Sequence, residues 1–296
     1  MELRQLRYFT AVFTERSLSR AAERLLISQP ALTRQLRQLE QELGATLFER
    51  IHTGVRPTAA GSALHEHALQ ILSMADACRR VAQSAGPARE MVRVGLPPGL
   101  PPGWVQRVLA ETRRRVPMAE LAFTDASSTA QLRMVREGHL DVGLVHQTPP
   151  SSLQHRELFA DPFGLAIRPG HALRGRTGCR LADLDGMRVL AHARDQVPTE
   201  HDRLVAAAHD LGIAPEWHFA HFSENALACA LAADAHAVLL TEASAARLLP
   251  DWSWLQLTDP PFLMRTWLVR HQTTRSIVMD ISEVMIDTER YGPDVA

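Results

Sequence analysis

The sequence predicts an α/β protein in three parts: a small helical segment at the N-terminus, one long helix, and a larger region in which strands and helices alternate. Three observations carry this. Apolar residues recur at spacings of three and four through residues 3–43, the period of helices that bury one stripe. From residue 59 to about residue 85 no proline and no glycine but Gly61 interrupts the run, which stops at Gly86-Pro87. Beyond it, short apolar runs such as MVRVGL and LDVGLV alternate with helical patterns, the signature of an open, mostly parallel sheet.

Composition narrows the class. A chain of 296 residues has room for a domain of about 60 residues and another of about 200, each with its own core. With 46% hydrophobic and 22% charged residues, it reads as an ordinary soluble protein, and no apolar run approaches the roughly 18 to 20 residues of a membrane span. The start MELRQLRYF lacks the apolar stretch of a signal peptide, so a cytoplasmic location without membrane contact is expected. Cys78, Cys179 and Cys229 are far apart with no CxxC pair, which predicts neither a disulfide framework nor a zinc knuckle. His65 and His67 sit two apart on a helix, and His218 and His221 three apart in a strand-like run. Neither pair shares a face, so no metal and no cofactor is expected.

The net charge of −1 argues against a surface coated for unspecific nucleic-acid binding. It hides an asymmetry: residues 1–58 hold nine arginines against six glutamates, a balance of +3. All 32 basic residues are arginine, and without a lysine a P-loop, a Schiff-base site and a Ser-x-x-Lys site are excluded. No GxSxG, GxGxxG or HExxH run occurs either, so an enzyme is not expected.

Leu3, Leu6, Phe9 and Phe13 mark the first helix, Leu3 to Glu15. Ser17 and Ser19 offer caps for a short second helix, where Ala21 and Ala22 let another helix cross closely, and Leu25, Leu26 and Ile27 are expected to close it against the core. Ser28 caps the third helix, Pro30 fits its first turn, Leu32, Leu36, Leu39 and Leu43 form its buried stripe, and Gly44 supplies the left-handed cap. Two short helices joined by a tight turn, with Gln29, Thr33, Arg34 and Arg37 facing outward on the second, fit a reading head for the major groove. Gln pairs bidentately with adenine, and Arg with guanine or phosphate. A helical hairpin that merely packs, with a solvated polar face, is the alternative on pattern alone.

The run SLSRAAERLLISQPALTRQLRQLEQELGATLFER followed by VRPTAAG closely resembles the N-terminal signature of LysR-type transcriptional regulators. The resemblance implies a winged helix-turn-helix over residues 1–58 that binds double-stranded promoter or operator DNA. Gln29, Pro30, Thr33 and Arg34 then fall on the groove-reading positions, while Arg50, Arg56 and Thr58 fall on wing and phosphate-contacting positions; Ser28, the cap, and Arg37, on the outer side, complete the DNA-binding candidates.

Residues 59–87 follow as a linker helix that Thr58 caps. Leu64, Ala68, Ile71, Ala75, Cys78 and Ala82 lie at alternating spacings of four and three, the seam of a two-helix coil. A helix packed on its own domain shows the same spacing. The resemblance implies a dimerisation helix, a dimer or dimer of dimers, and RNA polymerase as a further candidate partner.

In residues 88–296 we expect strands at Met91–Leu96, Leu121–Thr124 and Leu140–Val145, with helices at Trp104–Arg115 and Thr129–Glu137 between them. A second block begins near Phe163. It runs through MRVLAH, a helix His201–Leu211, WHFAHF, a helix Asn225–Ala233, the strand AVLLT and a helix Ala243–Leu248. The strand Arg265–His271 and a helix Ile277–Arg290 return to the first block. This region resembles, more loosely, the effector-binding domain of the same regulators. That implies a two-lobed, periplasmic-binding-protein-like domain, with lobe one at about 88–162 and 268–296 and lobe two at about 163–267, and a small-molecule effector between them that modulates promoter binding or activation. AADAHAVLLTEA departs from the family's Gly-rich turn and Pro-ended strand, so the geometry of Asp234–Thr241 is left open.

Position gives the effector candidates. Gly99 lies in a proline-rich loop before a helix, where missing N–H groups impoverish an anion site. Ser127 and Ser128 precede the next helix and either donate to a ligand or cap that helix. His146 ends a buried strand and is a contact or an ordinary packed residue. Val197, Thr199, Phe222 and Ser223 are the second lobe's candidates.

Overall fold

The computed structural model describes residues 1–52, 54–83, 89–259 and 261–288. The chain divides into two compact units, Met1–Ala88 with Arg136–His139 and Arg89–Val135 with Leu140–Ala296.

In the first unit, α1 (Leu3–Glu15), α2 (Leu18–Arg24) and α3 (Gln29–Leu43) precede a hairpin of β1 (Phe48–Ile51) and β2 (Gly54–Pro57), and α4 (Ala59–Gln83) follows. Most of the stripes read from the sequence make the core: Leu6, Phe9 and Val12 of α1 meet Ala21 and Ala22 of α2 and Leu32, Leu36 and Leu39 of α3, whereas Leu3 and Leu43, at the outer ends of their helices, are exposed and not part of it. Ser17 and Ser28 cap α2 and α3 by accepting the N–H groups of Arg20 and Ala31, and Gly44 ends α3 at φ +65°. Leu26 corrects the expectation. The turn between α2 and α3 places it at φ +56°, and its side chain is 91% exposed instead of closing the core.

Two glycines allow close approach here. A Cβ on Gly54, at φ +137°, would lie 2.3 Å from the Arg16 carbonyl oxygen, and one on Gly61 would lie 2.2 Å from that of Leu47. The Thr58 hydroxyl donates to the Thr46 carbonyl at 2.7 Å and accepts the Gly61 N–H at 3.0 Å. Thr58 thus fastens the root of the wing to the start of α4.

The predicted seam of α4 divides. Ala68 is fully buried in the unit's own core and Leu64 packs against it. His65 stacks on Phe13 with ring centroids 3.7 Å apart. These residues hold α4 to α1, which corrects their assignment to a partner helix; a small-residue stripe at this period serves either neighbour. Ile71 and Cys78 are exposed and Ala75 half-buried. The Ala82 side chain lies outside the described residues, as do residues 84–88, where the helix was expected to end, and Arg290, the expected end of the last helix.

The second unit is two sheets that share one strand. β3 (Glu90–Leu96), α5 (Pro102–Arg115), β4 (Ala119–Asp125), α6 (Ser128–Arg136) and β5 (Val142–Val145) open it, and the long β6 (Gln154–Ile167) follows. Next come β7 (Gly178–Arg180), a 3₁₀ turn (Leu181–Leu184), β8 (Arg188–His192), α7 (Pro198–Asp210), β9 (Glu216–Ala220), α8 (Ala226–Ala232) and β10 (Ala237–Thr241). α9 (Glu242–Leu248), β11 (Ser253–Asp259), β12 (Leu263–Arg270) and α10 (Ser276–Asp287) complete it.

The first sheet runs β4-β3-β5-β12-β6, with β12 pairing Gln154–Pro162 from Leu263 onward, five residues before the expected return at 268. The second runs β7-β11-β6-β10-β8-β9, in which β10 and β11 flank Phe163–Ile167. One strand therefore serves both lobes, and Pro162 is the last β6 residue paired in the first sheet. Under the first sheet, Trp104 packs edge-on against Phe159 at 5.1 Å among Val92, Leu144, Val278 and Ile281. Asp141 is ringed by Arg93 at 3.0 Å and Arg275 at 3.3 Å.

The segment left open, Asp234–Thr241, is a tight turn into β10. Asp234 takes φ +44°, a backbone that favours glycine, and its carboxylate reaches Arg168 at 2.5 Å and Arg188 at 2.6 Å. The two salt bridges tie this exposed turn to the end of β6 and to β8.

Candidate DNA-reading face and interlobe cleft

The inner side of α3 is locked in the core, and this sets what its outer side presents. Ser28, Gln29, Pro30, Arg34 and Arg37 are exposed and Thr33 is half-buried. The Gln29 side-chain oxygen accepts from the Ser19 hydroxyl at 3.3 Å, so α2 orients that amide. On the hairpin, Arg56 is exposed and pairs with Glu49 at 2.7 Å, and Arg50 is exposed beside it in register with Val55. Among the described residues none of Arg34, Arg37 and Arg50 is in an ion pair. Thr58 is the exception among the nine candidates, because its hydroxyl and its N–H, which bonds Leu47 at 3.0 Å, are both engaged within the fold.

In the second unit the lobes are tied by backbone and side-chain bonds. The Ser128 hydroxyl, fully buried, donates to the Gln196 carbonyl at 2.6 Å and accepts the His146 N–H at 2.9 Å. Beside it the Thr129 N–H donates to the Asp195 carbonyl at 3.1 Å, and the Thr148 N–H to the Thr199 hydroxyl at 3.4 Å. Ser128 is neither a free donor nor a cap; the cap of α6 is Ser127, which accepts the Ala130 N–H at 3.3 Å. Gln196 is the hub on the other side. Its side-chain oxygen lies 3.3 Å from His192 Nδ1 and its amide donates to the Phe222 carbonyl at 3.3 Å.

Next to this clasp is a small, partly open cavity of about 10 Å³, room for about one water. Gly99, His146, His192, Asp161, Ser244 and Thr266 contribute to its wall. Burial pushes the His192 imidazole down to about 4, with the neighbouring His146 and His221 adding to the effect and Gln196 opposing it. It is neutral at physiological pH and stacks on Phe222 with centroids 4.0 Å apart. His146 Nε2 lies 2.8 Å from the Pro98 carbonyl, and Nδ1 lies 3.2 Å from the Thr266 hydroxyl and 3.4 Å from the Arg265 carbonyl. An open groove of about 350 Å³ adjoins, with Gly99, Asp125, Ser223, Glu224 and Arg247 on its walls.

Of the eight effector candidates, Gly99 and His146 line the cavity and Ser223 lines the groove. Val197 lies in the core of the second lobe, and Phe222 is buried behind His192; both are corrected from contact to support, because apolar residues next to a loop end fill the lobe before they face a ligand. Sequence reasoning missed Asp161, His192, Ser244 and Thr266. MRVLAH did signal that His192 ends a buried strand, but Asp161 and Thr266 sit at the strand crossing, which no local pattern marks.

Residues 3–62 match the family described as bacterial regulatory helix-turn-helix protein, lysR family, and residues 85–278 match the LysR substrate binding domain. The chain belongs to the LysR family. As such it is a DNA-binding transcription regulator with an effector-binding domain, and not an enzyme. This LysR-type regulator is 27% identical over 290 residues to the transcriptional regulator BenM of Acinetobacter baylyi, covering 96% of this chain and 95% of BenM. It is 34% identical over 188 residues to the Hca operon transcriptional activator HcaR of Escherichia coli, covering 63% of this chain and 64% of HcaR. Full-length CbnR complexed with its target DNA superposes with a TM-score of 0.59 at 25% identity, over 98% of this chain and all of CbnR. ArgP from Mycobacterium tuberculosis shares the fold, with a TM-score of 0.68 at 22% identity over 96% of both chains. Among the described residues no helix is long and apolar enough to cross a membrane.

Proposed function

We propose that this regulator reads an operator with Gln29, Pro30, Thr33, Arg34 and Arg37 in the major groove, that Ser28 caps and presents that helix, and that Arg50 and Arg56 hold the flanking phosphates. The observation that carries this is the outer face of α3: a hydrogen-bonded Gln29 beside Arg34 and Arg37, neither in an ion pair among the described residues, on a helix whose other side packs into the core through Leu32, Leu36 and Leu39. Such a face makes base-edge contacts, and wing arginines make sequence-independent ones. That the similar chain of CbnR was solved in complex with its target DNA supports DNA as the partner. Thr58 is kept as the residue that fixes the wing.

A second copy joins through the exposed Ile71 and Cys78 with the half-buried Ala75 between them, and the paired reading heads then meet half-sites in register with the helical turn of about 34–36 Å. An effector between the lobes of the second unit shifts the balance between conformations and with it promoter activity, through RNA polymerase at the promoter. The protein works in the cytoplasm, where its DNA target lies.

Gln29→Ala tests the base-reading assignment: operator affinity falls by about 1–3 kcal/mol while affinity for random duplex is unchanged. Arg56→Ala weakens both alike and lowers the salt slope. Equal losses on operator and random duplex for Gln29→Ala would remove it from the reading set.

A further inference from the structure

We propose that Arg16, which belongs to neither the recognition helix nor the wing, is a further DNA contact: with Arg56 it clamps the sugar–phosphate backbone in a hollow beside the hairpin. This rests on the reading of Arg56 as a phosphate contact, and three observations on Arg16 itself carry it further.

The first is place. Arg16 ends α1, and Ser17 directly after it caps the first helix of the reading head. The Arg16 carbonyl accepts the Val55 N–H of β2 at 3.0 Å, an approach that Gly54 permits because a Cβ there would meet the same oxygen. The turn between α1 and α2 is thereby bound to the wing. An open hollow of about 410 Å³ lies at this junction, walled by Arg16, Ile51, Val55, Arg56, Pro57 and Ser62. Two arginines from two different elements line it, and no carboxylate does among the described residues.

The second is charge. Glu15, the neighbouring acid in the chain, is engaged by Arg20 at 3.7 Å and Arg24 at 3.1 Å, and among the described residues Arg16 is in no ion pair. Its guanidinium lies over the Phe13 ring, 4.5 Å from the centroid. Stacking of this kind uses the flat face of the group and leaves its N–H edges for oxygen acceptors. Arg56 pairs with Glu49 in a bridge exposed on both sides, which contributes little and exchanges readily for a phosphate.

The third is backbone. Arg16 takes φ +53°, in the left-handed region where glycine is the easier residue. A long side chain kept in such a conformation points to a use for the side chain itself. The lining names the ligand class: phosphodiesters take the guanidinium donors, while the deoxyribose between them packs on Ile51 and Pro57.

The test is a set of DNA titrations by fluorescence anisotropy on the full-length chain, with an operator duplex selected from random sequence and a random duplex of equal length, over a range of salt. Arg16→Gly suits the backbone at that position, so the melting temperature stays the same or rises. Binding to both duplexes weakens alike, and the slope of log affinity against log salt falls by about one. The advantage of the wild type then grows about threefold as salt falls from about 0.3 M to about 0.1 M. Arg16→Lys keeps the charge and most of the slope. A lower melting temperature with an unchanged slope would make Arg16 a support for the end of α1 and overturn the proposal. A loss confined to the operator duplex would make it a base reader and overturn the backbone assignment. If Arg56→Ala lowers the slope and Arg16→Gly does not, the clamp fails while the wing reading stands; if neither lowers it, the wing reading fails too.

Discussion

Replacing Ser128 with alanine keeps the Cβ and removes one atom, yet that atom joins the lobes. In the native structure the hydroxyl donates to Gln196 and accepts from His146, at 2.6 and 2.9 Å, with no exposure to solvent. The substitution leaves a buried carbonyl on one lobe and a buried N–H on the other without that partner. An unsatisfied buried group costs about 1–3 kcal/mol; the small void that remains allows partial relaxation, so a total of about 2–4 kcal/mol is expected. For a unit of this size, about 1 kcal/mol corresponds to about 2–4 °C, and the melting temperature therefore drops by roughly 4–16 °C. Hydrogen exchange adds a spatial readout: faster exchange at Thr129 and His146 with the recognition helix unchanged. A melting temperature within about 1 °C of wild type would refute the clasp as an energetic link.

Three further outcomes are expected. Burial of Glu200, opposed by Arg203, its own backbone N–H and Arg265, pushes its carboxyl up to about 7. Its folded pKa exceeds the unfolded 4.5, so stability is lost as pH rises between those values; Glu200→Gln should be up to about 3 kcal/mol more stable than wild type at pH 8, a gain that shrinks toward pH 5 in denaturant titrations. Gly61→Ala puts a methyl group into the Leu47 carbonyl, and a loss of about 1–3 kcal/mol together with weaker DNA binding is expected from thermal melts and gel shifts; a neutral melt would show that the hairpin yields. Ile71→Asp places a charge on the exposed α4 stripe and should shift sedimentation toward monomer, whereas an unchanged oligomer would relocate the interface.

Sequence periodicity disclosed the N-terminal unit almost residue by residue, since its stripes, caps and glycine terminator are all local signals. The same periodicity misplaced Leu64 and Ala68, because a stripe at α4 spacing looks identical whether α1 or a partner covers it. In the second unit, QHRELFADP was not recognised as the first half of β6: its three outermost residues are exposed, and Pro162 argues against a strand interior. Ser128 illustrates the other limit. Its position before a helix was legible, but its partners lie 68 and 18 residues away in the chain, and only the folded topology brings them to it.

The shared strand and the clasp together have a kinetic consequence. The cavity beside the intact Ser128 bonds leaves about 10 Å³, room for about one water, so an effector seated in that cavity has to part the lobes first. β6 runs unbroken through both lobes, which keeps them joined when the clasp opens. Effector association should then be limited by a first-order step, its observed rate levelling off at high effector concentration. The plateau measures how often the lobes part on their own, and it sets the shortest time in which a promoter under this regulator responds.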